Sequence, residues 1–148
     1  MPTQDADDFG HGDRQAVEHA AMNAVIQIEK HMGYRPSDVS AAKCGYDVES
    51  FVPENMRERL EAYALRLIEV KGRTKGATTV TISKNEILTG LNKTEEFILA
   101  IVEVDGANTR TIYLKNPFRG MDKPAFAEVS RNFNITDLIR NSEIVYQE

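Results

Sequence analysis

One run of apolar residues constrains the fold more than any other feature of the sequence. Residues 97–102 are uninterrupted apolar side chains, and only Glu103 separates them from Val104. A strand this apolar is expected where a sheet is covered on both faces. The run is also much shorter than the roughly 20 apolar residues that cross a bilayer. We therefore expect the central strand of a layered domain and no membrane-spanning segment.

A leading helix is predicted over residues 13–31. Its apolar residues recur at spacings of three and four and form one stripe: Val17, Ala20, Ala21, Ala24, Val25, Ile28 and Met32. Asp13 is the expected N-cap, and Gly33 ends the helix. Residues 1–12 hold almost no apolar side chains, so we expect a flexible tail or linker stub before a single domain over 13–148.

Apolar patterns predict the strands, and capping signals predict two further helices. The expected strands are 38–40, 45–50, 65–71, 78–82, 97–104 and 109–115. Gly72 is expected to stop the third of these strands, and the last two form a hairpin. Ser83 and Glu86 form a capping-box pattern that begins a short helix, and Asn134 begins another. These elements predict an α/β or α+β domain around one mixed sheet.

The charge balance argues against a protein that coats nucleic acid with its whole surface. The chain has 18 basic and 23 acidic residues, a net charge of −5, whereas such proteins are normally basic. Residues 65–93 differ, because they hold two acids and six basic residues: Arg66, Lys71, Arg73, Lys75, Lys84 and Lys93. This excess fits either a local nucleic-acid contact or an ordinary solvated face.

The single cysteine, Cys44, excludes an internal disulfide and a cysteine-rich zinc site. Because it lies beside a glycine in a core-like segment, we expect it to have a packing role. The first residues lack the basic start and apolar stretch of a secretory signal. We therefore expect a reducing, cytoplasmic setting.

Two acids and a lysine lie in predicted strands, where a charged side chain is costly to bury unless another charge balances it. Glu69 and Lys71 share one face of their strand, since side chains alternate along a strand. If the strand that contains Asp47 is its neighbour, the carboxylates of Asp47 and Glu69 converge. Close carboxylates repel each other and need a counter-charge. A divalent cation that prefers hard oxygen ligands, Mg²⁺ or Mn²⁺, can supply it.

Lys71 beside such a metal site could orient an attacking water or neutralise developing negative charge. The three residues are then a minimal set for metal-assisted hydrolysis of a phosphodiester. The same spacing also fits a plain carboxylate–lysine ion pair in a structural adaptor, and the residues alone leave both interpretations open. Phosphate-loop, dinucleotide-binding and Gly-x-Ser-x-Gly motifs are absent from the sequence.

The spacing of Asp47 and Glu69-x-Lys71 resembles the D…(D/E)-x-K core of the PD-(D/E)XK nuclease superfamily. Two longer blocks, Gly-Tyr-Asp-Val-Glu-Ser at 45–50 and Ile-Glu-Val-Lys-Gly at 68–72, are similar to the C-terminal domain of the plant NO VEIN protein and its bacterial relatives. This second resemblance runs from about residue 14 to about residue 118 and includes the leading helix. It implies a restriction-endonuclease-like core, in which a leading helix precedes a central mixed sheet flanked by helices.

The resemblance also implies roles for individual residues. Asp47 and Glu69 match the metal-binding acids, and Lys71 matches the catalytic lysine. The leading helix of the superfamily often adds a glutamate, for which Glu18 is the first match and Glu29 the second. Asn85 and Glu86 match a block that begins the second helix, and Glu86 fits a helix cap as well as a site residue.

The resemblance further implies partners and a substrate. Arg73, Lys75, Lys84 and Asn85 are the residues expected to contact nucleic acid, with DNA as the substrate and Mg²⁺ or Mn²⁺ as the cofactor. Domains of this family are often attached to helicase or restriction-type ATPase regions, so such a partner is expected. The alternative is a catalytically inactive module of the same fold that binds nucleic acid or a partner protein.

Overall fold

A computed structural model describes residues 10–57 and 64–148. The leading helix, α1, spans Gly10–His31, so Asp13 lies within its first turn. The prediction that Asp13 caps the helix was therefore wrong, because the helix begins before it. Residues 1–9 of the predicted tail lie outside the described residues. Residues 10–12, which were also assigned to the tail, belong to α1.

Eight strands and two more helices follow α1 in the described residues. The strands are β1 Arg35–Asp38, β2 Val48–Phe51, β3 Leu65–Thr74, β4 Thr79–Ser83, β5 Phe97–Asp105, β6 Asn108–Lys115, β7 Ser130–Asn134 and β8 Glu143–Gln147. The helices are α2 Lys84–Asn92 and α3 Ile135–Asn141, and short 3-10 turns lie at Ser40–Ala42 and Glu54–Met56. No helix among the described residues is long and apolar enough to cross a membrane.

Six strands form a mixed sheet in the order β1-β2-β3-β5-β6-β8. Strands β3 and β5 are parallel, with Glu69 opposite Leu99, and the other neighbours are antiparallel. Strands β5 and β6 form the expected hairpin, in which Asp105 pairs with Asn108. The predicted α+β class with a leading helix and a central mixed sheet is confirmed.

The apolar strand β5 supplies side chains to two separate cores, one on each face of the sheet. Ile98, Ala100 and Val102 pack with the stripe of α1 on the first face. Leu99 and Ile101 pack with residues of α2, β4 and α3 on the second face. This double coverage explains why the run is continuous rather than alternating.

Gly72 does not end its strand, contrary to the prediction, because β3 continues to Thr74. A Cβ at Gly72 would lie 2.7 Å from the Cβ of Ala21 and 3.0 Å from the carbonyl oxygen of Val17. The glycine therefore allows α1 to approach the sheet closely. Close helix–sheet packing, rather than chain termination, is the reason for a glycine at this position.

Other boundaries also shifted, and two strands were not predicted. The expected segment 38–40 is replaced by β1, and β2 begins at Val48 rather than at residue 45. Strands β7 and β8 are short edge strands, of which β7 pairs with β4 in a separate two-stranded sheet. The helix predicted from Asn134 is present as α3, and the Asn134 side chain accepts a hydrogen bond from the backbone N–H of Asp137.

Candidate active site

Asp47 is fixed to the neighbouring strand by both its backbone and its side chain. It immediately precedes β2, and its N–H donates to the carbonyl oxygen of Ile68 at 2.9 Å. Its Oδ2 accepts a hydrogen bond from the backbone N–H of Val70, also at 2.9 Å. Asp47 and Glu69 also lie close enough for each carboxyl group to affect the pKa of the other. The structure thus brings the two acids together, as their strand positions suggested.

Lys71 lies between two carboxylates on the face of the sheet that carries Glu69. Its Nζ is 3.2 Å from Oε2 of Glu69 and 2.9 Å from Oε1 of Glu86. Glu86 comes from the first turn of α2, which packs on the same face through Ile87. We call Asp47, Glu69, Lys71 and Glu86 the carboxylate–lysine cluster.

Glu86 belongs both to the cluster and to the cap of α2. Its Oε1 accepts the backbone N–H of Ser83 at 2.9 Å, and its own N–H donates to Oγ of Ser83 at 3.2 Å. The sequence pattern left a cap and a site residue as alternatives, and the structure contains both contacts. The sequence alone did not assign Glu86 to the site, because the S-x-x-E capping pattern explains a glutamate at this position equally well.

The loop before β2 is held close to α2, which places Asp47 near Glu86. Gly45 has a φ of +95°, and a Cβ there would lie 2.1 Å from Oγ1 of Thr89. The side-chain amide of Asn85 donates to the carbonyl oxygen of Lys43 in the same loop. Cys44 is exposed in this loop, so the prediction that it packs in the core was wrong.

Burial shifts the protonation of the two paired acids. Glu69 is only 3% exposed, and burial raises its pKa to about 10, with a further contribution from the charge of Asp47. Burial also raises the pKa of Asp47, although the Val70 N–H and the neighbouring Glu69 oppose the shift. Without a cation, burial beside Asp47 therefore favours the protonated form of Glu69. Two carboxyl groups this close do not both ionise readily.

The other half of the cluster is an ion pair. Burial lowers the pKa of Lys71, but Glu69 and Glu86 outweigh that effect and hold the pKa above its ordinary value. Burial would raise the pKa of Glu86, but the Lys71 ammonium and the Ser83 N–H leave it below its ordinary value. Lys71 and Glu86 are thus both charged at neutral pH, and the lysine can act electrostatically rather than as a base.

The chemistry of the cluster fits a divalent cation. When its three acids and one lysine are all ionised, two negative charges remain unbalanced, and one divalent cation balances them. Asp47 and Glu69 supply the hard carboxylate oxygens that Mg²⁺ and Mn²⁺ prefer, and Mg²⁺ needs only one or two of them. Within residues 10–57 and 64–148, no group of three or more His, Cys, Asp or Glu residues is arranged around a single metal position. Protein ligands would therefore be two carboxylates, with water or substrate completing the coordination.

The two glutamates of α1 lie apart from the cluster. Helix α1 packs on the face of Ile68, whereas Glu69 and Lys71 lie on the opposite face, and Glu18 is exposed on that helix. Glu29 is fully buried and pairs with Arg66 through both oxygens at 2.8 and 3.1 Å. The hydroxyl of Tyr113 also donates to Glu29 at 2.9 Å. Glu29 thus belongs to a buried network on the α1 side of the sheet.

The four residues expected to contact nucleic acid lie near the cluster in the sequence, two at or directly after the end of β3 and two at the start of α2. Arg73 is exposed and follows Lys71 by two positions on β3, on the same face. It lines a cleft of about 480 Å³ together with Arg110 and Ile139. Lys75 is exposed and pairs with Asp105 at 3.6 Å. Lys84 and Asn85 begin α2 and bond to the loops on either side, Lys84 to Phe126 and Asn85 to Lys43.

These features define the chain as an α+β domain whose mixed sheet carries a half-buried carboxylate–lysine cluster beside a helix N-terminus. The family model described as Protein NO VEIN, C-terminal, matches residues 17–114. The matched region runs from α1 through β6 and contains all four residues of the cluster. The chain belongs to this family. No curated protein and no solved structure gave a significant match.

Proposed function

We propose that the domain is a metal-dependent phosphodiester hydrolase that acts on DNA and has the PD-(D/E)XK arrangement. The observation that carries the proposal is the convergence of Asp47 and Glu69, from adjacent strands, with Lys71 on one face of the sheet. An acid from each of two strands with a lysine two positions beyond the second is the arrangement that the superfamily resemblance implies. The raised pKa of Glu69 supports it, because it indicates a site built for more positive charge than Lys71 supplies.

Asp47 and Glu69 are the residues that would hold Mg²⁺ or Mn²⁺. When bound, such an ion polarises a phosphate oxygen and makes a bound water more acidic. The contribution of the chain is to fix the two carboxylates. The Val70 N–H orients Asp47, and the burial of Glu69 keeps bulk water away from it.

Lys71 remains protonated, so its role in the proposed reaction is electrostatic. Its ammonium would contact the scissile phosphate or the attacking water and stabilise the charge that develops on phosphate oxygens. Glu86 fixes the direction of the lysine through the 2.9 Å contact. We therefore propose Glu86 as a positioning residue that acts through Lys71. Glu18, the catalytic glutamate that the resemblance implies on the leading helix, lies on α1 at the other face of the sheet, and its catalytic role stays a prediction.

DNA is the proposed substrate, and its backbone would lie along the face that contains the cluster. Arg73 extends the cluster along β3 into the cleft that it lines with Arg110, and Lys75 lies further along the chain. Lys84 and Asn85 flank the other side at the start of α2. Contacts of this kind make binding strongly salt-dependent. Because the chain as a whole is acidic, we propose that a cytoplasmic helicase or restriction-type ATPase delivers the DNA.

The direct test is cleavage of plasmid and linear DNA in the presence of Mg²⁺ or Mn²⁺. Asp47→Asn and Lys71→Met should each abolish cleavage, since each removes one element of the cluster. The matched controls are Glu95→Gln and Lys30→Met, which change the same charges at exposed positions outside the cluster. Cleavage that survives in both cluster variants would assign the activity to another site or to a contaminant.

A second candidate function is an inactive module that binds nucleic acid or a protein. One observation favours it: the Lys71 ammonium already has a carboxylate partner in Glu86, at 2.9 Å, without a metal. This alternative predicts that the chain binds its partner in EDTA and that Mg²⁺ changes neither the affinity nor the DNA. The hydrolase predicts metal-dependent cleavage that EDTA stops.

A further inference from the structure

Phe126 is the most exposed large apolar side chain of the described residues, at 98%. It lies in the connection between β6 and β7, which the sequence patterns did not assign to any role. A single exposed ring means little by itself. The surroundings of Phe126 distinguish it from the other exposed apolar residues.

The turn that carries Phe126 is held firmly. We call residues 125–128 the Phe126 turn. The N–H of Glu128 donates to the carbonyl oxygen of Ala125, and the N–H of Ala125 donates to Oε1 of Glu128, both at 3.0 Å. Arg131 pairs with the same carboxylate at 2.6 Å. The ring is therefore presented to solvent by an ordered turn, which lowers the entropy lost when it binds a ligand.

Lys84 connects the Phe126 turn to the candidate active site. Its Nζ donates to the carbonyl oxygen of Phe126 at 3.0 Å and lies 5.5 Å from the ring centroid. Its backbone N–H donates to the carbonyl oxygen of Val129 at 2.8 Å. Lys84 is the first residue of α2, and Glu86 of the cluster follows two positions later. One helical turn thus supports both the aromatic ring and part of the cluster.

We propose that Phe126, held by Lys84, is a stacking platform for an unpaired nucleobase of the DNA whose phosphate the cluster receives. Aromatic rings next to cations are a common arrangement for binding single strands, since the ring stacks on a base and the cation attracts the backbone. Bases in a duplex are already stacked, so the platform selects single strands or the unpaired parts of a substrate. The proposal rests on the proposed function and adds the strandedness of the substrate.

The test measures binding in EDTA, so that no cleavage occurs. A labelled single-stranded oligonucleotide, its duplex and a strand of the same length in which every position is abasic are titrated with the full chain, and fluorescence anisotropy gives the Kd. Phe126→Ala should weaken binding of the single strand about tenfold, and Phe126→Trp should retain it. The duplex and the abasic strand should bind both variants and the parent alike, because neither offers a free base.

Phe51→Ala is the matched control. Phe51 is also exposed and lies under two guanidinium groups, those of Arg35 and Arg57, but at the far end of β2 from Asp47. The Phe51→Ala variant should bind the single strand with the same Kd as the parent. Equal single-strand affinity of the parent and Phe126→Ala would overturn the stacking platform while leaving the hydrolase intact. A parent chain that binds neither strand would also overturn the stacking platform, but not the hydrolase, which the metal-dependent cleavage assay tests separately.

Discussion

Nζ of Lys71 contacts the same oxygen of Glu86 that accepts the backbone N–H of Ser83 at the start of α2. One carboxylate oxygen therefore caps a helix and fixes the lysine of the candidate active site. The start of α2 cannot move without moving the ion pair, so the helix cap sets the geometry of the cluster.

The two roles of Glu86 can be separated by a pair of variants. Glu86→Gln keeps an oxygen for the Ser83 N–H but removes the charge that faces Lys71. We expect DNA cleavage to fall by about tenfold or more, with little change in the free energy of unfolding.

Ser83→Ala should instead lower the free energy of unfolding by about 1 kcal/mol. Cleavage per folded molecule should stay near that of the parent. Urea unfolding and cleavage rates measure both, and equal cleavage by Glu86→Gln and the parent would remove Glu86 from the site.

The protonation of Glu69 predicts how stability depends on pH in the metal-free chain. Its pKa is about 10 in the folded chain against 4.5 ordinarily. Between these values the folded chain binds one proton more at Glu69 than the unfolded chain, so the contribution of Glu69 to the free energy of unfolding is greatest below the lower value and falls as pH rises towards the upper one. One full proton corresponds to a slope of about 1.4 kcal/mol per pH unit.

Urea unfolding in EDTA at about pH 6 and about pH 8 tests this dependence. Glu69→Gln cannot ionise, so it should flatten the slope and be more stable than the parent at the higher pH. Glu95→Gln, at an exposed position, should keep the slope of the parent. An unchanged slope in Glu69→Gln would show that another group accounts for the dependence.

Close packing of α1 on β3 predicts the effect of a side chain at Gly72. Gly72→Ala should lower the free energy of unfolding by about 1–3 kcal/mol, because the new Cβ overlaps the Cβ of Ala21. The double variant with Ala21→Gly should recover part of that loss, apart from the helix propensity of the alanine. Urea unfolding of the four chains gives the coupling energy. If the changes in the free energy of unfolding of the two single variants simply add in the double variant, the close contact between positions 21 and 72 is contradicted.

Arg66 is predicted to matter for stability, because it neutralises a buried acid. Arg66→Met leaves Glu29 without its ion-pair partner, and we expect a loss of about 2 kcal/mol after allowing for the partial exposure of Arg66. Lys75→Met removes an exposed pair and should cost less than about 1 kcal/mol. Thermal unfolding compares the two variants directly. If both variants lose a similar amount of stability, the pairing of Glu29 with Arg66 contributes no more than an exposed ion pair.

The parts of the fold with strong patterns could be predicted from the sequence. The continuous apolar run identified β5, and the stripe at helical spacing identified α1, because both patterns result directly from burial. The polar strand β7, Ser130–Asn134, and the short strand β8 gave no such signal. Both lie at sheet edges, where pairing partners rather than side-chain burial determine the strand.

The sequence indicated which residues lie on adjacent strands but not what surrounds them. Alternation along β3 placed Glu69 and Lys71 on one face, and this was independent of exact strand boundaries. The contact between Lys71 and Glu86 depends on how α2 packs across the sheet, which no local pattern encodes. The position of Glu18 on the opposite layer from Glu69 likewise follows from helix packing. Its proposed role therefore remains a prediction.

Calorimetric titration with Mg²⁺ and with Mn²⁺ tests the central claim most directly. We expect the parent chain to bind one ion at Asp47 and Glu69 and to release a proton, which repeating the titration in buffers of different ionisation enthalpy would show. Asp47→Asn and Glu69→Gln should lose binding, whereas Glu95→Gln should retain it. A parent chain that binds neither ion, or an Asp47→Asn variant that binds as well as the parent, would contradict a metal centre at the carboxylate–lysine cluster.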